Sequence, residues 1–136
     1  AILAYNILKE IGMPADDRTE IVMAIGNHDE GTGTAVSDIS AALILADKSD
    51  VHRDRVTNTN MSTFDIHDRV NYAVTDANLE IDAESRKVIL NLTIDTQICP
   101  VLDYFQKFMD RTMMSKYAAK YLHIWFELVI NGTKLL

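Results

Sequence analysis

Apolar residues recur at helical spacing along the first third of the chain. The run of residues 2–11 ends at a glycine, and the following run places Ile21, Ile25 and His28 on one helix face. A third run, which Ser37 can cap, carries apolar residues and one carboxylate on a single face: Ile39, Ala42, Leu43, Ala46 and Asp47. The pattern therefore predicts three helices before residue 50, two of which turn a polar side chain toward the core.

The apolar period changes from helical to alternating in the second half of the chain. A short helix is predicted after Asp65, and apolar and polar residues then alternate over residues 77–95. Pro100 precedes a long amphipathic helix across residues 101–122, and alternation returns over residues 124–131. We predict one antiparallel sheet of about three strands packed on the long helix. Its predicted inner face consists of Leu79, Ile81, Leu90, Leu92, Phe126 and Leu128.

These elements define an α+β fold class. A partial helical region over residues 1–75 precedes an α/β subdomain over residues 76–136, and no Pro/Gly/Ser-rich linker separates them. A chain of 136 residues with 48% hydrophobic and 24% charged residues has ordinary globular composition and can bury its own core. Trp125, Phe126 and the Tyr/Phe set between residues 104 and 121 are predicted to belong to that core and not to form a base-stacking platform.

Charge and composition disfavour several classes of partner. The net charge of −7 repels phosphate backbones, so nucleic acid is not an expected partner. No apolar run approaches the ~20 residues that span a bilayer, so no membrane is expected either. Cys99 is the only cysteine and no secretion signal is recognisable, which leads us to expect a cytoplasmic protein. Cys99 itself is expected to pack in the interior and not to act as a nucleophile.

His28 and Asp47 interrupt the predicted apolar faces with polar side chains. Burial of an unpaired carboxylate costs several kcal/mol, so Asp47 needs a partner, hydrogen bonds or a cation. His28 has the alternative of being a hydrogen-bonded core imidazole, and Asp47 that of a cap or of an ion pair with Lys48 or an arginine. An imidazole and a carboxylate together suit a divalent metal.

Two arginines follow Asp47 closely. Arg53 and Arg55 could hold phosphate oxygens through charge-assisted hydrogen bonds. The alternative is a solvated ladder of charges in which Asp50 pairs with a residue three or four positions later.

Residues 25–30 (IGNHDE) and 41–50 (AALILADKSD) resemble the HD-domain superfamily of metal-dependent phosphohydrolases. Members of this superfamily are helical around the site. Their metal ligands are an early His, a consecutive His-Asp pair and a last Asp in an Ala-Asp-x-x-Asp context. The resemblance covers about residues 1–56, and it implies that Asp47 is the last Asp and that His28 is a histidine near the metal.

The chain departs from the family pattern upstream of this match. No His precedes His28, and the first residue is not Met, so we expect the early His and the true His-Asp pair to be missing. His28-Asp29 is the alternative pair, but it stands unusually close to Asp47. The second literal pair, His67-Asp68, follows Asp47 in the wrong order, and Asp65 and Asp68 suit a helix start better.

The resemblance implies a parent protein that hydrolyses a phosphate ester, with nucleotides among the candidates. A divalent ion (Mn, Mg, Co, Zn or Fe) would be held partly by His28 and Asp47, with Lys48, Arg53 and Arg55 as catalytic cations that neutralise developing charge. The expected partner is a small phosphorylated molecule. This chain itself is expected to be inactive, since two ligands are too few for a catalytic metal.

Two further expectations concern association. The first helix should expose an apolar face, which would permit a homo-oligomer. The alternative to a phosphohydrolase function is a non-catalytic interaction or regulatory module whose sheet edge pairs with a partner.

Overall fold

The computed structural model describes residues 1–136, which form five helices and a four-stranded sheet. The helices are α1 (Ile2–Glu10), α2 (Ala15–Gly26), α3 (Asp38–Ser49), α4 (Ile66–Ala73) and α5 (Val101–Tyr121). The strands are β1 (Val74–Asp82), β2 (Lys87–Ile94), β3 (Trp125–Ile130) and β4 (Thr133–Lys134). The predicted α+β class is confirmed. None of the helices combines the length and the apolarity that crossing a membrane requires.

Local sequence signals set several of the helix boundaries. The Ser37 hydroxyl accepts a hydrogen bond from the Ser40 amide at 3.2 Å, and the Asp65 carboxylate accepts one from the Asp68 amide at 2.7 Å. Both predicted caps are therefore confirmed, because each side chain satisfies an amide that the first helical turn leaves free. Pro100 directly precedes α5, where its missing N–H costs no helical hydrogen bond.

The sheet is mixed, in the order β1-β2-β3-β4. β1 and β2 form the predicted antiparallel hairpin, whereas β3 runs parallel to β2. The prediction of a wholly antiparallel sheet was therefore wrong. The reason is that α5 lies between β2 and β3 and carries the chain back to the starting end of the sheet, the connection that parallel neighbours need. Asn131 and Gly132, with φ of 51° and 77°, form the tight turn into β4.

One face of the sheet packs on α5, and this contact builds the core. Leu90, Leu92 and Leu128 are buried there, as predicted. Ile81 was also predicted on this face but is 75% exposed, because it lies near the free end of the edge strand β1. Ile44 of α3 belongs to the same buried cluster, so the helical part and the sheet share one core.

The first helix contributes no buried side chain. α1 packs on α2 and leaves its large apolar residues in solvent, notably Ile2, Leu3 and Ile7. The predicted exposed apolar face on the first helix is therefore present.

The aromatic residues divide between core and surface. Tyr104 and Phe108 are buried as predicted, and Phe108 lies at a kink in α5, with φ of −119° and ψ of 20°. Tyr117, Tyr121 and Trp125 are exposed, so the prediction that they belong to the core was wrong. They cluster where α5 ends and β3 begins, at the margin of the sheet–helix contact.

Candidate functional site

His28 lies directly after α2, in a loop whose shape depends on a glycine. Its Nδ1–H donates to the Ile25 carbonyl at 2.7 Å, which leaves Nε2 pointing away from that carbonyl, 3.6 Å from Asp29 Oδ1. The Gly33 amide donates to the Asp29 carbonyl at 2.9 Å. A Cβ at Gly33 would lie 2.4 Å from the Asn27 carbonyl oxygen, so this loop closes only with glycine at that position.

α3 turns a different face to the core from the one predicted. The buried positions include Ala41, Ile44 and Lys48, a stripe shifted by one residue from the predicted face through Leu43 and Asp47. Lys48 is 4% exposed, whereas the Asp47 side chain is 35% exposed. Because α3 is rich in apolar residues, two neighbouring faces of the helix both show apolar residues at helical spacing. Only packing against α5 decides which of the two faces is buried.

Four charged side chains meet at this end of α3, and we name Glu30, Asp47, Lys48 and Arg111 the charge cluster. Lys48 Nζ lies 2.6 Å from Asp47 Oδ2 and 3.2 Å from Glu30 Oε1. Arg111 of α5, 7% exposed, donates from Nη2 to the Asp47 carbonyl at 3.0 Å. Its Nε lies 3.1 Å from Glu30 Oε1 in an ion pair that is not aligned as a hydrogen bond. Two buried cations are thus balanced by two partly exposed carboxylates.

The charge cluster keeps Asp47 ionised. Burial raises the pKa of the Asp47 carboxyl, but the Lys48 hydrogen bond and the charges of Lys48, Arg111 and His28 outweigh it, so the net pKa is lowered. The charge of His28 is the smallest of these contributions, and the two side chains share no hydrogen bond or ion pair. That His28 and Asp47 share one site therefore stays a prediction.

Of the three cations that the sequence predicted to be catalytic, one lies in the charge cluster and two lie in the segment that follows α3. Lys48 lies in the charge cluster. Arg53 stacks on the Tyr72 ring at 5.3 Å, and Arg55 pairs with Asp50, so both arginines are engaged in the segment after α3. Neither arginine forms an ion pair or a hydrogen bond with His28 or Asp47, and their catalytic role stays a prediction.

Sequence reasoning missed two members of the charge cluster. Arg111 had a usable signal, since it follows Phe108 by three residues and so falls on the buried stripe of α5. Glu30 had no comparable signal, because its position depends on the loop that Gly33 closes.

The residues at this site do not by themselves fit a divalent metal. His28 and Asp47 supply two ligands, and catalytic metal sites use three or more together with an open position. The Lys48 ammonium already occupies the space between Asp47 and Glu30 where a cation would be bound. The arrangement is instead suited to holding an anion beside two buried positive charges.

A second group of potential ligands, Asp65, His67 and Asp68, brings its ligand atoms within 4.8 Å of one another. Asp65 caps α4, and Asp68 accepts from Asn58 at 3.4 Å, so both carboxylates have structural roles. The prediction that they are helix-start residues is confirmed.

Cys99 is also structural: it is buried, and burial raises the pKa of its thiol.

Comparison with known proteins returns no match. No family model matches the chain, and neither a curated protein nor a solved structure resembles it significantly. The likeness to HD domains therefore rests on the sequence motifs at residues 25–30 and 41–50 alone.

Proposed function

We propose that this chain binds a small phosphate ester at the charge cluster and belongs to the lineage of HD-type metal-dependent phosphohydrolases, without turnover of its own. One observation carries the proposal: a single oxygen, Glu30 Oε1, lies within 3.2 Å of the cationic nitrogens of both Lys48 and Arg111. Glu30 thus takes the place that a phosphate oxygen would occupy between two buried cations.

Burial makes these two cations effective anion ligands. Lys48 and Arg111 are removed from water, and charge–charge attraction is stronger in such surroundings than at the surface. The Glu30 side chain is 46% exposed, so it can rotate into solvent at little cost. A phosphate monoester carries more charge than a carboxylate and offers three acceptor oxygens. Asp47 would remain in place and hold the Lys48 ammonium through their 2.6 Å contact.

The absence of turnover follows from the same geometry. His28 Nε2 can accept a proton or contact the ligand, but His28 and Asp47 are too few ligands for a catalytic metal, and the charge cluster contains no Ser, Thr or Cys nucleophile. Metal dependence is a property of the lineage that the sequence resemblance implies, and the proposed binding involves no metal. Arg53 and Arg55 have no role in the proposed binding.

Replacement of Glu30 with glutamine should tighten phosphate binding. The change removes the competing charge at nearly constant size, so phenyl phosphate affinity should rise about two- to fivefold, the range expected for loss of an exposed ion pair. Calorimetric titration at low ionic strength measures the effect. Asp29→Asn is the matched control, since Asp29 is an exposed acid in the same loop that contacts neither buried cation.

Unchanged or weaker binding by a folded Glu30→Gln protein would overturn the proposal. In the same experiments, added Mn, Mg, Co, Zn or Fe should produce no hydrolysis of phenyl phosphate or of nucleotides. Hydrolysis that disappears in both His28→Ala and Asp47→Ala would instead show a complete catalytic site in this chain.

A second candidate function is strand addition at the sheet edge, and the edge strand favours it. β1 is nine residues long and its only strand partner is β2, so no strand pairs with its other edge, where the His52 ring donates a hydrogen bond to the Thr75 carbonyl at the start of the strand. Asp76, Glu80 and Asp82 give this edge a negative charge, which disfavours a second copy of β1 and suits a basic extended segment.

An alternating Lys/Val peptide should therefore shift the backbone amide resonances of β1 in an NMR titration. The charge-reversed variant Glu80→Lys/Asp82→Lys should lose these shifts, because like charges would then face the peptide. Lys9→Glu on α1 is the control that changes charge away from the open edge, since Lys9 is exposed and α1 packs on α2. Identical shifts in the wild-type and charge-reversed proteins would exclude recognition through this edge.

A further inference from the structure

A cleft of ≈ 460 Å³ opens where α5 ends and β3 begins. Lys116, Tyr117 and Lys120 line it from the helix, and His123 and Trp125 line it from the connection and the strand. A neighbouring opening shares Tyr117, Lys120 and His123, so the two form one continuous depression. The volume of the first cleft alone, ≈ 460 Å³, falls within the ~300–1,000 Å³ typical of small-molecule sites.

The first cleft carries a local positive charge on an acidic protein, whereas the neighbouring opening is also lined by the Asp38 carboxylate. Lys116 and Lys120 are four residues apart on α5, so their side chains lie on the same helix face. Both are exposed and neither forms an ion pair, which is also true of Lys9 and Lys107. With a net charge of −7 for the whole chain, two unpaired lysines beside one cleft indicate an anionic ligand.

The cleft also presents flat aromatic surface. Trp125 is 73% exposed and Tyr117 is exposed beside it, although large aromatic residues are usually mostly buried. Neither ring packs against another aromatic ring in the structure. Exposed aromatic residues in a concave site are typical of surfaces that stack on a flat ligand.

The connection between α5 and β3 holds this arrangement in place. The amides of His123 and Ile124 donate to the carbonyls of Lys120 and Ala119, both at 3.0 Å, in the pattern of a Schellman helix end. His123 occupies the left-handed position with φ of 57°, where glycine is usual. This turn takes the chain directly from the two lysines to Trp125.

We propose that this cleft binds a mononucleotide, whose base stacks on Trp125 and Tyr117 while its phosphate contacts Lys116 and Lys120. Inorganic phosphate would leave the rings unused, and a neutral aromatic compound would leave the lysines unused. The net charge disfavours a long polynucleotide, whose other phosphates would be repelled. The cleft shares no residue with the charge cluster, and Lys116, five residues after Arg111, lies on a different face of α5.

Trp125 is the only tryptophan, so its fluorescence reports on the cleft directly. AMP should quench this fluorescence saturably, adenosine should quench it more weakly, and ribose 5-phosphate should leave it almost unchanged. In Lys116→Met/Lys120→Met the AMP affinity should fall about tenfold or more, while quenching at saturation persists. Lys107→Met, an exposed lysine on the same helix, should leave affinity unchanged. Glu30→Gln should also leave it unchanged, which separates this site from the charge cluster.

Three outcomes would overturn the proposal. The first is no quenching at ~10 mM AMP, a concentration well above the dissociation constant of even weak specific binding. The second is an equal AMP affinity in the double lysine variant, which would reduce the interaction to non-specific contact with the exposed indole. The third is tighter binding of short oligoadenylates than of AMP, which would assign the cleft to single-stranded nucleic acid instead. Circular dichroism of each variant verifies that the fold is retained.

Discussion

Replacement of Asp47 with alanine is expected to lower the free energy of unfolding by about 2–3 kcal/mol. The reason is the buried Lys48 ammonium, which would lose its 2.6 Å partner and keep only the partly exposed Glu30. A fully buried broken pair costs ~3–5 kcal/mol, and the partial exposure of Asp47 reduces that value. Urea denaturation measures the change.

Two variants test whether the loss of stability in Asp47→Ala comes from the buried Lys48 ammonium that is left without its partner. Asp50→Ala removes an exposed carboxylate paired with Arg55 and should change stability by less than ~1 kcal/mol. The double variant Asp47→Ala/Lys48→Met should regain much of the loss, because it also removes the buried ammonium. If Asp47→Ala proves as mild as Asp50→Ala, Lys48 is solvated and the charge cluster is not a buried ion network.

The Asp47 contribution should also depend on pH in a definite direction. The folded-state pKa of Asp47 lies below its unfolded value of about 3.9, so the stabilisation is fully present above pH ~4. It is lost as the pH falls further, through the lowered folded-state pKa. Asp47→Asn should lack this acid-side component, which a comparison of stability at pH 6 and pH 3 would reveal.

Replacement of Phe108 with alanine is expected to destabilise the protein by about 3–5 kcal/mol. Phe108 is buried at the kink of α5, where its ring packs edge-on against Tyr104 and His67, each at 5.7 Å between centroids. The Arg111 guanidinium lies 5.1 Å from the centre of the same ring. A cavity here would therefore remove core contacts and a positioning contact of the charge cluster at once. Thermal and urea unfolding measure the loss.

Phe108→Leu and Met109→Ala are suitable comparisons. Leucine keeps most of the apolar volume, so Phe108→Leu should lower the free energy of unfolding clearly less than Phe108→Ala does. Met109 is exposed, so Met109→Ala should lower it by less than ~1 kcal/mol. Phenyl phosphate affinity should fall in Phe108→Ala more than in Met109→Ala, since only the former releases Arg111. Equal affinities would show that Arg111 is held without help from the ring.

Residues close together in the chain determined much of this fold. Helical spacing and the caps at Ser37 and Asp65 placed α3 and α4, and period-two alternation placed the β1–β2 hairpin. Pro100 marked the start of α5. These features follow from hydrogen bonds and side-chain directions within a few residues, so the sequence alone specifies them. The α+β class follows from the order of the elements.

Packing between distant segments decided the rest. The Asp47–Arg111 contact joins positions 64 residues apart, and the parallel pairing of β2 with β3 depends on how α5 crosses the sheet. The same packing selected Lys48 over Asp47 as the buried residue of α3 and left Trp125 in solvent. Local periodicity cannot decide these outcomes, because a helix or strand with two similar faces takes its orientation from the surface it meets.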